Sequence, residues 1–101
     1  MIYIYFIFIF RPRTLPIPGF DSKNVLLLRD IGEAHAIAEQ SVGKDVVVIG
    51  TWFIGMETAA CIVNKAKSVV CVGMEKVAFE RVLGFEVGEA IQKVRILCPK
   101  I

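Results

Sequence analysis

The chain has 101 residues, 55% of them hydrophobic and 22% charged, with 12 basic against 10 acidic side chains for a formal net charge of +2. That length supports one small domain with a modest core. The scattered, nearly balanced charge excludes the basic patch that a nucleic-acid partner needs, so no nucleic acid is expected.

Residues 1–10, MIYIYFIFIF, are continuously aromatic or aliphatic. Ten residues are too few for a spanning helix, which takes about 20. A signal peptide carries its positive charge before the apolar run, whereas Arg11 and Arg13 follow this one. The composition is that of a strand, and outside a fold it is an aggregation hazard. Attachment to a membrane surface is the alternative.

Residues 11–24 hold three of the four prolines and read as a connecting loop. NVLLLRD (24–30) is a short buried strand. Asp30 has capping chemistry and Glu33 follows three residues on, a capping-box-like pair. Ile31, Ala34, Ala38 and Val42 then recur at helical spacing, which predicts a helix over 31–42 stopped by Gly43. His35, the only histidine, falls on it as a solvated residue. Metal sites built on two histidines are excluded, and Ser-His-Asp schemes have little to draw on.

DVVVIG (45–50) and SVVCVG (68–73) are continuously apolar, as parallel strands covered on both faces are. Between them 53–66 reads as a buried helix, completing a βαβ unit of ordinary length. Residues 74–84 read as a loop and 84–94 as a helix, with 94–98 the beginning of a further strand. Cys61, Cys71 and Cys98 are spaced by 10 and 27, fitting neither a CxxC pair nor a zinc knuckle. Cys61 and Cys71 lie in apolar runs and are expected to be buried, inert thiols in a reducing compartment.

The turn at VVVIGTWFIGMETAA (46–60) joins strand to helix through Gly50 and Gly55. A dinucleotide turn holds pyrophosphate on backbone N–H groups at a helix N-terminus, and each of its glycines has a task. Gly50 can make the tight turn out of the strand. Gly55, with Ala59 and Ala60 one turn on, gives a thin face for close helix–sheet packing. The position that lets phosphate approach the backbone carries Trp52, and the strand-end position that supplies a ribose-binding acid carries Gly73. Glu75, two residues later, is the available substitute, with Lys76 beside it; neither NAD nor NADP is favoured on these residues. The plain alternative is a glycine-rich strand-to-helix turn that needs no ligand.

The stretches PRTLPIPG, NVLLLRDIGEAHAIAE, KDVVVIGTWFIGMETAACIV and KAKSVVCVGMEKVAFERVLG, in that order, resemble the FAD-dependent pyridine nucleotide-disulfide oxidoreductases. The likeness is to their apoptosis-inducing-factor-like and ferredoxin-reductase-like branch, and it covers about residues 12–93. The resemblance implies an NAD(P)H-binding domain that delivers hydride to FAD. It implies a phosphate loop of Gly50, Thr51, Phe53, Ile54 and Gly55, with Glu57 near the nicotinamide end. Glu57 is equally an ordinary acid in a first helical turn. Trp52 and Gly73 depart from the family pattern, which has a small residue and an acid there.

The expectation is therefore an α/β chain, a truncated Rossmann-like (βαβα) half with parallel strands. Its parts are an apolar segment foreign to the family (1–10), the end of an FAD segment with a crossover (11–43), and a truncated NAD(P)H-binding domain (44–101). The partner is a nicotinamide dinucleotide, the compartment cytoplasmic or mitochondrial, and no residue is assigned to catalysis or metal. The chain by itself is expected to be inactive; the alternative is a fragment acting through self-association, a partner or a membrane surface.

Overall fold

A single parallel sheet organises the molecule. The computed structural model describes residues 2–6 and 16–96; Arg11, Arg13, Cys98 and the rest of 7–15 and 97–101 lie outside them. Four strands, β1 (Ile2–Phe6), β2 (Val25–Leu28), β3 (Asp45–Ile49) and β4 (Ser68–Val72), stand in the order β2-β1-β3-β4. Every neighbouring pair is parallel. Helices α1 (Ile31–Gln40), α2 (Phe53–Ile62) and α3 (Glu80–Ile96) alternate with the strands from β2 onward.

β1 pairs on both sides, Tyr3 facing Val25 of β2 and Val47 of β3. The segment set apart in the sequence thus supplies, through Ile2–Phe6, an interior strand. Pairing on both edges satisfies its backbone groups, which is what so β-prone a stretch requires.

α1 begins as its sequence dictates. The Glu33 N–H donates to Asp30 Oδ1 at 2.9 Å, satisfying a first-turn donor. The return bond of the box is displaced by one residue, because Glu33 Oε2 accepts from the Arg29 N–H at 2.6 Å while its other oxygen takes the Arg29 guanidinium. That pairing holds the Glu33 carboxyl below its ordinary range. At the other end the buried Ser41 hydroxyl donates to the Ile37 carbonyl, and Gly43 turns the chain with φ of 66°.

The core is one cluster: Ile37 from α1, Val46 and Val48 from β3, Ala59 and Ile62 from α2, Ala66, and Val69 from β4. α1 and α2 therefore bury against the same face of the sheet. β3 alternates strictly between the two faces, with Val46 and Val48 buried on this one and Asp45, Val47 and Ile49 half-buried on the other. The expectation of strands covered on both faces fails at β4, whose Val70 and Val72 are 53% and 48% exposed. α2 is likewise buried on one side only, through Gly55, Met56, Ala59 and Ile62, while Phe53, Ile54, Ala60 and Cys61 face outward. Apolar composition did not decide orientation here; the single buried face did. Cys61 is accordingly exposed and Cys71 half-buried, neither of them the buried thiol expected.

The segment after β4 also departs from expectation. Residues 80–83 form a helical turn rather than loop, with the Val82 and Leu83 N–H groups donating to the Phe79 carbonyl. Gly84, with φ of 81°, breaks the geometry before the helix resumes. It then runs to Ile96, so residues 94–96 are helical and do not begin a strand. Gly88 lets this helix close on the preceding segment: a Cβ there would lie 2.5 Å from the Ala78 carbonyl oxygen. Among the described residues no helix is long and apolar enough to cross a membrane.

Candidate functional site

The turn between β3 and α2 sits at the C-terminal end of the parallel strands, where open α/β sheets bind ligands. Gly50 leaves β3 with φ of 127°, a backbone that side-chain-bearing residues rarely adopt, and its N–H donates to the Val72 carbonyl at 2.8 Å. The strand end is thereby tied to β4 while the chain turns into α2. Gly55 and Ala59 are buried and bring α2 close to the sheet, as expected; Ala60 points away.

Trp52 is the N-cap of α2, and its side chain makes no capping hydrogen bond. The first-turn amides of a helix have no intrahelical acceptor. At α1 the Asp30 carboxylate fills that need, whereas at α2 the amides at the head of the helix receive no cap. An uncapped helix head beside a glycine turn can accept an anion, favoured by both the donors and the helix dipole.

Glu75 is the hub of the site. Its carboxylate is only 11% exposed, accepts from the Thr51 hydroxyl at 3.2 Å, and pairs with Arg81 Nε at 3.0 Å. The Trp52 side chain favours its charged form as well. Its own backbone N–H, then Thr51, Arg81 and Trp52, favour the charged form over the opposing effect of burial, so the carboxyl lies below the usual glutamate range.

Gly73 is occupied space. A Cβ at that position would lie 2.6 Å from Thr51 Cγ2, 2.9 Å from Thr51 Cβ, and nearer still to the Thr51 hydroxyl. Rotating the threonine would remove two of those contacts but not the one to its Cβ. Thr51 therefore fills the place in which a strand-end acid would begin.

The remaining expected residues distribute around this hub. Phe53 is exposed and meets Phe79 with ring centroids 5.0 Å apart, a tilted aromatic pair. Ile54 and Glu57 are exposed on α2. The Thr51 carbonyl accepts from the Phe79 N–H at 3.1 Å, docking the segment after β4 onto the turn. Thr51, Gly73, Glu75 and Lys76 line an open groove of about 570 Å³ that continues along Val70 and Val72 to Gln92 of α3. Two contributors escaped the sequence. Phe79 takes φ of 63°, and Arg81 comes within reach of Glu75 only because residues 80–83 coil. Neither leaves a mark that spacing alone would reveal. Among the described residues no group of histidine, cysteine and acidic side chains could hold a metal.

A parallel sheet with a glycine turn into an uncapped helix is a partial Rossmann-like arrangement. The chain belongs to the pyridine nucleotide-disulphide oxidoreductase family, whose model matches residues 10–96. It is 40% identical over 83 residues to apoptosis-inducing factor 3 of Homo sapiens, covering 82% of this chain and 14% of that protein. It is 38% identical over 68 residues to an NADH oxidase of Enterococcus faecalis, covering 65% of this chain and 15% of the oxidase. It is 40% identical over 63 residues to rhodocoxin reductase of Rhodococcus erythropolis, covering 61% of this chain and 15% of the reductase. The chain thus spans about a seventh of the length of these relatives. No solved structure gives a significant match.

Proposed function

We propose that this chain is the NAD(P)H-binding portion of an FAD-dependent oxidoreductase, in which NAD(P)H bound at the β3–α2 turn gives up hydride to the flavin. The observation that carries the proposal is the uncapped head of α2, whose N-cap stands two residues after a glycine with φ of 127°. The family supplies the chemistry, since a nicotinamide cofactor brings the hydride and the protein binds and orients it.

Phe53, Ile54 and Gly55 would hold the pyrophosphate through backbone N–H groups at the helix head, while Gly50, whose own N–H is bonded to the Val72 carbonyl, would make the turn that lets the phosphate approach. Thr51 and Glu75 border the groove beside them, and Glu57, exposed further along α2, would lie toward the nicotinamide end. No described residue is assigned to FAD, and the isolated chain is expected to hold the nucleotide without oxidising it.

Isothermal titration calorimetry with NADH and with NADPH tests this. Saturable binding that disappears in Gly50→Val supports the proposal, because valine cannot hold the turn. No heat of binding from folded wild-type chain contradicts it. The open edge of β4, with Val70 and Val72 exposed, supports the second reading, association with a partner or another copy of the chain. Sedimentation across a concentration series checks that.

A further inference from the structure

We infer that the groove at the end of β4 favours the 2′-phosphate of NADPH over the free ribose of NADH, with Lys76 as the residue that selects it. The inference rests on the dinucleotide-binding reading and adds which of the two nucleotides the turn takes.

In a dinucleotide-binding βαβ unit the adenine-side ribose lies beside the end of the second strand. An acid there accepts the hydroxyls of NAD, and a cation nearby accommodates the phosphate of NADP. In this chain that place follows Val72, the last residue of β4. The Gly50 N–H donates to the Val72 carbonyl at 2.8 Å, so Thr51 and Gly73 leave adjacent strands side by side. The open groove begins there, bordered by Thr51, Gly73, Glu75 and Lys76.

Two observations take the acid out of play. Thr51 fills the space in which a side chain at 73 would start, its Cβ 2.9 Å from where the new Cβ would lie. Glu75, the carboxylate that does line the groove, has both oxygens engaged. Its Oε2 accepts from the Thr51 hydroxyl at 3.2 Å, its Oε1 pairs with Arg81 Nε at 3.0 Å, and the side chain is only 11% exposed. So enclosed, it has little left to offer a pair of ribose hydroxyls. Arg81 also offsets the charge with which it would repel a phosphate.

A third observation supplies the cation. Lys76 is exposed and lines the same groove, and its side-chain nitrogen enters no hydrogen bond or ion pair among the described residues. The root of that side chain is fixed, because the Lys76 N–H donates to Glu80 Oε2 at 2.9 Å. A phosphate monoester carries a charge of about −1.5 to −2 at neutral pH. A lysine beside it makes a charge-assisted hydrogen bond, stronger than one to a neutral hydroxyl. NADH brings only hydroxyls to this place and finds no free acid to accept them.

The test measures affinity for NADH and NADPH by calorimetry in wild type, Lys76→Met and Lys76→Arg, with 5′-AMP and 2′,5′-ADP repeating the comparison on the adenine half alone. Lys76→Met keeps the apolar stem and the backbone bond to Glu80 while removing the charge, and circular dichroism checks that each chain is folded. Wild type should bind NADPH about ten-fold more tightly than NADH, the worth of one charge-assisted hydrogen bond. That preference should be lost in Lys76→Met with NADH affinity unchanged, and kept in Lys76→Arg. It should also narrow as salt is raised.

Equal affinities in wild type, or tighter NADH, overturn the inference and leave the dinucleotide-binding reading standing. A preference for NADPH that survives in Lys76→Met overturns the assignment to Lys76. Failure of folded wild-type chain to bind either dinucleotide would sink the functional reading, and the inference with it.

Discussion

Thr51 and Gly73 share one space: the Cβ that any larger residue would carry at 73 lies 2.9 Å from the Cβ of Thr51. Real Cβ atoms do not approach that closely, so the absence of a strand-end acid follows from the turn as well as from the strand.

Gly73→Asp is therefore not a repair. It is expected to lower stability by about 1–3 kcal/mol, the usual cost of overpacking, and to leave NADH affinity no better. Thr51→Gly in the same chain should recover most of the stability. Thermal unfolding of the two variants measures this; a Gly73→Asp chain as stable as wild type would show that the turn shifts freely.

Gly88 makes a second close approach, and there helix propensity opposes sterics. Alanine in place of a mid-helix glycine ordinarily gains about 1 kcal/mol. At 88 the new methyl would sit 2.5 Å from the Ala78 carbonyl oxygen and 2.6 Å from Val77 Cγ2. Backbone cannot yield as a side-chain tip does, so the clash prevails. Gly88→Ala should destabilise by about 1–3 kcal/mol. A denaturant midpoint above wild type would mean that α3 is not packed on residues 77–78.

The acidic limb of the pH profile should report Glu75. Its carboxyl is depressed in the folded chain by its own amide, Thr51, Arg81 and Trp52, so the charged form is the stabilising one. That contribution is complete above the ordinary glutamate value, about 4.3, and is lost as pH falls below it through the folded value. Glu33 and Asp45 are depressed as well and weaken the fold over a similar range. Trp52 emission separates them, because of the three carboxylates only Glu75 has the Trp52 side chain acting on it. A step in emission below pH 4.3 in wild type, absent in Glu75→Gln, is expected. Arg81 pairs with Glu75, whereas Glu80 accepts from the Lys76 amide. An identical step in both chains would assign it to global unfolding.

The parts of the molecule governed by local rules were legible in its residues. DVVVI and SVVCV are strands, Asp30 caps α1 through the Glu33 amide, Gly43 ends the turn after that helix, and Gly50 and Gly55 occupy their glycine positions. His35 is exposed, as its place on α1 suggested. What depends on partners was not legible. MIYIYFIFIF announces a strand, but not that Ile2–Phe6 would lie between β2 and β3. Cys61 sits among apolar neighbours in sequence and faces outward, because α2 buries one side only. Trp52 looked like an obstruction because a sequence shows size and not direction. Glu75, whose charged form it favours, lies 23 residues away, brought near by the crossover from β3 to β4.

The measurement that bears most directly on the central claim uses Trp52 as its own reporter. Titrating the folded chain with NADH, with NADPH and AMP as comparisons, and following tryptophan emission places any binding at the β3–α2 turn. The account predicts saturable quenching by the dinucleotides, with AMP weaker because it lacks the pyrophosphate. No change in emission, from a sample that circular dichroism shows to be folded, would contradict it.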